Sequence, residues 1–409
     1  MNRRHFLSAT AAAWWQAAGQ SYGTSTAPGA VPEWEADLFG LERHSKTPVT
    51  ARIELLKAGR SYFVRATSKE GVQGIARVKQ IEDYLPMLTR VAMPFFAGKD
   101  VRRLETLMDE FYIRNYKLAG QALWAPAAYV EQALFDLYGK TVGKSVGALL
   151  GGVKRTQIPV YLSGSGRETT AEEEVAVYQR GLAETGARAV KFKIGGRMSR
   201  NADAYPGRTE KMLELARKTY GDKVVIYADA NGSYNAAKAI EVGKLLAGLK
   251  CGFFEEPCPW EEISETKRVA DALSMPIAGG EQDSSFWKFS HMIGTRTLDI
   301  VQPDLNYNGG FIRAARVARM AARAGIPITP HNTQTGVTSC YILQFASAIP
   351  NVGPYMEYPY RGKYENEPWH SPQFVIRDGT IAVPEGPGLG VEIDPAYLAK
   401  AAVVSTAGG

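Results

Sequence analysis

From Gly152 onward the chain alternates short apolar runs with amphipathic stretches, and that alternation limits the fold more than any other feature. The runs IPVYLSG, AVKFKIG, KVVIYADA, GFFEEP, MPIAGGE, LDIVQPD, IPITPHN and GPYMEY have the length of buried strands. Between them lie stretches such as EEEVAVYQRGLAETG, AAKAIEVGKLLAGLK and GFIRAARVARMAARAG, whose apolar residues recur every three or four positions. Eight strands alternating with helices predict an α/β chain closed into a parallel (β/α) barrel. An open doubly wound sheet is the alternative, but no glycine fingerprint follows the first strand.

Upstream the pattern differs. VTARIELLKAG, RSYFVRATS and GVQGIARV read as antiparallel strands, and DVRRLETLMDEFYI and APAAYVEQALFDLYGKT read as helices. A chain of 409 residues is too long for one ordinary domain. The expected division is an N-terminal α+β module over 35–152, a barrel over 153–368, and a segment over 369–409 that packs back on the first module.

Composition narrows the function classes. The net charge of +6 comes with no long basic run, which argues against nucleic-acid binding. Three cysteines and five histidines suit neither a disulfide scaffold nor a cysteine/histidine zinc site. Residues 1–30 stand apart: Arg3, Arg4, Phe6 and Leu7 match the R-R-x-F-L core of a twin-arginine export signal. Periplasmic export is therefore expected, with a cytoplasmic tail as the alternative. No apolar run of spanning length follows, so no membrane association is expected after export.

Catalysis in a barrel of this kind sits at the C-terminal strand ends. Those ends offer Lys191 and Lys193 on the second strand, Asp229 and Asn231 on the third, and Glu255 and Glu256 on the fourth. The fifth to eighth end in Glu281, Asp304, His331 and Glu357. Asp229 to Glu255 and Glu255 to Glu281 are both 26 residues, and the next two intervals are 23 and 27. One register recurs, so these side chains are expected to converge on one mouth.

Asp229, Glu255 and Glu281 would repel one another strongly unless a cation lay among them. An all-oxygen set suits Mg²⁺, with Mn²⁺ as the alternative. The two lysines alternate to the same face of their strand, beside those carboxylates. Each lysine makes the other's charge costly and burial acts in the same direction, so a Lys193 pKa lowered toward general-base values is expected. Asp304 can hold His331 in one tautomer. A metal, an ammonium group and two bases together fit removal of a proton α to a carboxylate.

These motifs resemble the enolase superfamily, within it the mandelate racemase group. The resemblance spans nearly everything after about residue 35. It is carried by ALFDLYGKTVGKSVGALLGG, the K-x-K of Lys191 and Lys193, DAN at Asp229, EEP at Glu255, GGE at Glu281, QPD at Asp304 and PH at His331. It implies a modified (β/α)₇β TIM-type barrel with an α+β capping domain formed by the N-terminal part and the C-terminal tail. It also implies Mg²⁺ on Asp229, Glu255 and Glu281, with Lys193 and His331 as bases. Lys191 and Glu357 would stabilise the substrate carboxylate or enediolate, Asn231 would contact it, and a homo-oligomer is implied. Aspartate at position 304 departs from the dipeptide epimerases and muconate cycloisomerases, which carry lysine there.

The resemblance implies dehydration of a sugar acid, an aldonate or aldarate, to a 2-keto-3-deoxy acid. Racemisation or epimerisation of a 2-hydroxy acid is the alternative, and a catalytically silent sugar-acid-binding barrel is a third reading. Specificity is expected in capping loops around 41–50 and 79–88, with Arg43 and His44 facing a polyhydroxylated acid.

Overall fold

The structure is a computed structural model that describes residues 38–408 apart from 47, 80, 81, 165, 361 and 363–366. The twin-arginine segment lies outside the described residues. Strands β1 (Thr50–Ala58), β2 (Ser61–Ser68) and β3 (Gln73–Val78) form an antiparallel sheet whose inward residues are apolar. Helix α1 (Leu104–Asn115) follows, and the long α2 (Gln121–Val142) packs across β2 and β3. At Gly74 a side chain would place its Cβ 2.1 Å from the carbonyl oxygen of Ala133, so only glycine lets sheet and helix approach this closely.

The second region is a curled parallel sheet in the order β10-β4-β5-β6-β7-β8-β9. Its strands are β4 (Gln157–Ser163), β5 (Ala189–Lys193), β6 (Val225–Asp229), β7 (Phe254–Glu255), β8 (Ile277–Gly279), β9 (Ile300–Val301) and β10 (Met356–Pro359). Helices α3 (Ala171–Thr185), α4 (Arg208–Tyr220), α5 (Ala236–Gly248), α6 (Ile263–Ala272), α7 (Phe286–Gly294), α8 (Phe311–Arg323) and α9 (Ser339–Ala348) alternate with them. The expected seventh strand, IPITPHN, is reduced to single bridges from Ile328 to Val301 and to Val352. Pro327 and Pro330 flank that bridge and have no N–H to extend a ladder.

The tail serves both regions. β11 (His370–Ser371) pairs with β13 (Glu392–Ile393), β12 (Thr380–Ala382) runs antiparallel to β4, and β14 (Ala402–Gly408) adds an edge strand to β1. The capping domain is thus built from both ends of the chain.

Buried polar contacts fix the capping domain over the barrel mouth. Glu131 of α2 accepts from the backbone N–H groups of Phe311 (2.6 Å) and Ile312 (3.0 Å), so it satisfies the first turn of α8. Gln121 donates to Gln282, and Gln132 donates to Asn306 at 3.1 Å. Among the described residues, no helix is long and apolar enough to cross a membrane.

Candidate active site

Strand register brings the first functional groups together. Lys193 on β5 lies beside Asp229 on β6, which lies beside Glu255 on β7, so three chemically active ends form one row. Glu281 joins from beyond β8, after Gly280 at φ +104°. Carboxylate oxygens of Asp229, Glu255 and Glu281 all lie within 4.8 Å of one another, and the three residues are buried.

The donor set fits a hard divalent cation. Among the described residues, Glu281 Oε2 is buried with no hydrogen-bond partner, as is Oε1 of the neighbouring Glu256. Buried carboxylate oxygens that accept no hydrogen bond are costly, and a cation coordinated by oxygen would remove that cost. Burial and the neighbouring carboxylates of Asp229, Glu357 and Glu281 push Glu255 up to about 8, although Lys191 opposes them. Gln302 donates to Glu255 Oε2 at 2.8 Å and orients that ligand.

Lys191 is fully buried. Its Nζ lies 2.6 Å from Glu255 Oε1, 2.9 Å from Glu357 Oε1 and 3.8 Å from Asp229 Oδ2. Lys193 pairs with Asp229 Oδ2. These contacts reverse the expected lowering of the lysine pKa. Burial does act to lower both, but Glu255 and Glu357 raise Lys191 well above the ordinary value, and Asp229 raises Lys193. The sequence showed the second lysine as neighbour; the surrounding carboxylates outweigh it.

Asp304 Oδ2 meets His331 Nδ1 at 2.8 Å, and its Oδ1 accepts from the backbone N–H of Asn306 at 2.7 Å and of Tyr307 at 3.1 Å. Burial would raise the Asp304 pKa, yet Lys79 and His331 hold it below the usual carboxylate range. An ionised carboxylate only accepts, so Nδ1 carries the hydrogen and Nε2 points the other way. Nε2 stands 3.5 Å from Glu281 Oε2. Glu357 accepts from Ser163 Oγ at 2.5 Å and from the Asn332 backbone N–H at 3.0 Å, and with Lys191 and His331 nearby it is held down at about 2 despite burial.

The remaining candidate residues make these contacts within the protein. Asn231, at φ +41°, donates from Nδ2 to Asp229 Oδ2 at 3.2 Å and to Glu256 Oε2 at 3.1 Å, and it accepts from Arg167 at 2.9 Å. Arg43 is exposed, and His44 sets its ring edge-on to Tyr138 at 5.9 Å, near the far end of α2. The capping residue that reaches toward the mouth is Lys79, which donates to Thr333 Oγ1 at 2.6 Å and lies 5.0 Å over the Tyr307 ring. Its place in the 79–88 segment was the only sequence signal for it. Arg167 gave none, because an arginine between Gly-Ser-Gly and Glu-Thr-Thr reads as a solvated loop residue.

The comparisons agree with this geometry. Residues 36–151 match the N-terminal domain of mandelate racemase/muconate lactonizing enzyme, and residues 173–397 match the enolase C-terminal domain-like model. The chain belongs to the mandelate racemase/muconate lactonizing enzyme family. An arabinonate dehydratase of Saccharolobus solfataricus is 29% identical over 308 residues, covering 75% of this chain and 80% of that protein. A D-galactarolactone cycloisomerase of Agrobacterium fabrum is 31% identical over 310 residues, covering 73% and 79%. The solved structure of a protein from Roseobacter denitrificans, provisionally called a racemase, superimposes with a TM-score of 0.82 at 35% identity, covering 88% of this chain and all of that one. As a member of this family the protein is an enzyme of carboxylate α-proton abstraction, with an enolase-type Mg²⁺ site at Asp229, Glu255 and Glu281.

Proposed function

We propose that this family member eliminates water from a sugar acid, an aldonate or aldarate, to give a 2-keto-3-deoxy acid. The supporting observation is that two proton-transfer groups flank the acidic triad from opposite directions. Lys193 Nζ stands against Asp229, and His331 Nε2 stands 3.5 Å from Glu281. Bound Mg²⁺ supplies Lewis-acid stabilisation of the substrate carboxylate as it gains charge.

Everything else falls to the side chains. One base takes the proton from the α-carbon, and the C–H electron pair moves into the carbon framework. The opposite group, protonated, gives its proton to the leaving β-hydroxyl, so hydroxide departs as water. The enol then takes a proton at C3 and gives up its hydroxyl proton at C2, becoming the keto acid with no net change of charge. Asp304 keeps the His331 Nε2 aimed inward throughout, and Lys191 adds fixed positive charge beneath the triad. The dehydratase relative supports this reading.

Racemisation uses the same two groups without loss of hydroxide, and the Roseobacter structure favours it as the second reading. Incubation of the Mg²⁺-loaded enzyme with a library of aldonates and aldarates separates the two. A semicarbazide-reactive keto acid is expected. A change of optical rotation without keto acid would establish the racemase instead, and ligand binding with no α-proton exchange in D₂O would indicate a silent barrel.

We also propose export to the periplasm, supported by Arg3, Arg4, Phe6 and Leu7. Replacing both arginines by lysine is expected to retain the protein in the cytoplasm; unchanged fractionation would place the enzyme there from the start. The family resemblance supports a homo-oligomer, which sedimentation of the purified protein would test.

A further inference from the structure

We infer that Arg167 is a positioning residue for the metal site, acting through Asn231. Arg167 follows β4, yet its buried guanidinium crosses the end of β5 to reach the loop after β6. Its Nε donates to the Gly195 carbonyl at 3.2 Å, and its Nη2 donates to the Ile194 carbonyl at 3.4 Å and to Asn231 Oδ1 at 2.9 Å. One planar group therefore ties the two residues that follow Lys193 to the residue two beyond Asp229.

The chemistry of the partners fixes which way the Asn231 amide faces. A guanidinium can only donate, so Oδ1 must face Arg167. Carboxylates can only accept, so Nδ2 must face Asp229 and Glu256, as it does. The Asn231 backbone N–H adds a bond to Asp229 Oδ1 at 2.8 Å. Without Arg167 the two carboxylates still hold Nδ2, but Oδ1 loses its donor in a buried site, and Asn231 is free to shift away from Asp229 in reaching another. The Asn231 amide is thus held from both ends, with Nδ2 on the metal ligand Asp229 and on Glu256, and Oδ1 anchored by Arg167.

The sign of the effect separates positioning from simple electrostatics. Arg167 is a cation close to Asp229, so by Coulomb's law alone its removal would tighten binding of a divalent ion. Loss of ligand orientation weakens it, and partners one step removed from a metal typically matter by about 10–100-fold in affinity.

The test is titration of the purified full-length protein with Mn²⁺ alone, followed by its electron paramagnetic resonance signal. It needs no substrate, so its outcome is independent of which acid the enzyme dehydrates. Arg167→Met is expected to weaken Mn²⁺ binding by about tenfold or more. Asn231→Ala is expected to do the same, and the double variant to be no worse than Asn231→Ala. Arg167→Lys, with one nitrogen for three acceptors, is expected to fall between. Unchanged or tighter Mn²⁺ binding in Arg167→Met, even with a lowered Tm, would overturn the inference. So would losses that multiply in the double variant. If neither Arg167 variant melts cooperatively, wild-type Mn²⁺ affinity in Asn231→Ala overturns it alone.

Discussion

Asp304 and His331, 27 residues apart, meet at 2.8 Å between Oδ2 and Nδ1, and the ring's other nitrogen faces the acidic triad. The carboxylate decides the tautomer because it accepts and never donates when ionised. Asp304→Asn would present an amide whose N–H₂ can donate to Nδ1 and move the ring hydrogen to Nε2. Activity is expected to fall by about a thousandfold or more in kcat, with Mn²⁺ affinity unchanged. Full kcat in this variant would remove His331 from the proton transfers.

The same imidazole sets a pH dependence in the metal-free protein. Burial would lower its pKa, but Glu281, the Asp304 hydrogen bond and Glu357 raise it to about 9 from 6.5. The native state therefore binds more protons than the unfolded state between those values, and stability falls as pH rises through that window. The contribution is fully present below about 6.5 and gone above about 9, with a size on the order of 3 kcal/mol. Urea unfolding at a series of pH values checks it: the decline should be shallower in His331→Asn, most clearly between about 8 and 9, above the window in which the raised Glu255 carboxyl also contributes. Added Mg²⁺ should flatten it in the wild type, because the cation neutralises Glu281.

The acid triad was legible because one strand-helix unit separates each member from the next, and strand register turns equal spacing into spatial alignment. His331 was legible as an end residue although its strand hardly forms. Two prolines remove the ladder there, yet the chain still passes the same point of the barrel. The direction of the lysine pKa was not legible. Along the sequence Lys191 has Lys193 as its nearest charge, whereas in space three carboxylates lie within 3.8 Å of it. Arg167 and Lys79 were hidden for a related reason. Long cationic side chains normally end in water, and only the tertiary structure shows where these two end.

Glu255 links metal binding to pH with the opposite slope. Burial first, then Asp229, Glu357 and Glu281, raise its carboxyl to about 8 in the absence of metal. A proton and Mg²⁺ then compete for the same oxygens, so Mg²⁺ affinity is expected to increase as pH rises toward about 8 and to level off above it. Calorimetry at pH 7 in buffers of different ionisation enthalpy should register proton release on binding. Glu255→Gln should lose at least a hundredfold in Mg²⁺ affinity while keeping a cooperative melt. Wild-type Mg²⁺ affinity in that variant would move the ligand role to Glu256.

Glu131 predicts a stability effect without a catalytic one. Its two oxygens serve the N–H groups of Phe311 and Ile312, and it is fully buried. Glu131→Ala leaves two buried donors unpaired at the start of α8, at a cost of about 1–3 kcal/mol for each. Urea unfolding should show a loss of about 2–6 kcal/mol at unchanged Mn²⁺ affinity. A loss below about 0.5 kcal/mol would mean that water replaces the carboxylate at the seam.

The two bases give the most demanding prediction. Lys193 comes from β5, on the Asp229 side of the triad, and His331 from the segment after Ile328, on the Glu281 side; under the two-base proposal they address opposite faces of a bound α-carbon. A dehydratase substrate presents its α-proton to one face only. Lys193→Ala and His331→Asn should therefore both abolish dehydration, because each removes one of two required proton transfers. They should differ in exchange. The variant that keeps the base on the proton-bearing face should still wash deuterium from D₂O into the α-position of a substrate or its epimer. Lys191, Glu357 and the triad remain in place to stabilise the charge formed by abstraction. The other variant should exchange nothing. Nuclear magnetic resonance of the α-proton, at saturating Mg²⁺, reads both outcomes in one experiment. Dehydration retained by either variant would refute the two-base assignment. Exchange lost equally in both, with Mn²⁺ still bound, would show that the lysine and the histidine work as a single coupled unit rather than as an acid and a base on separate faces.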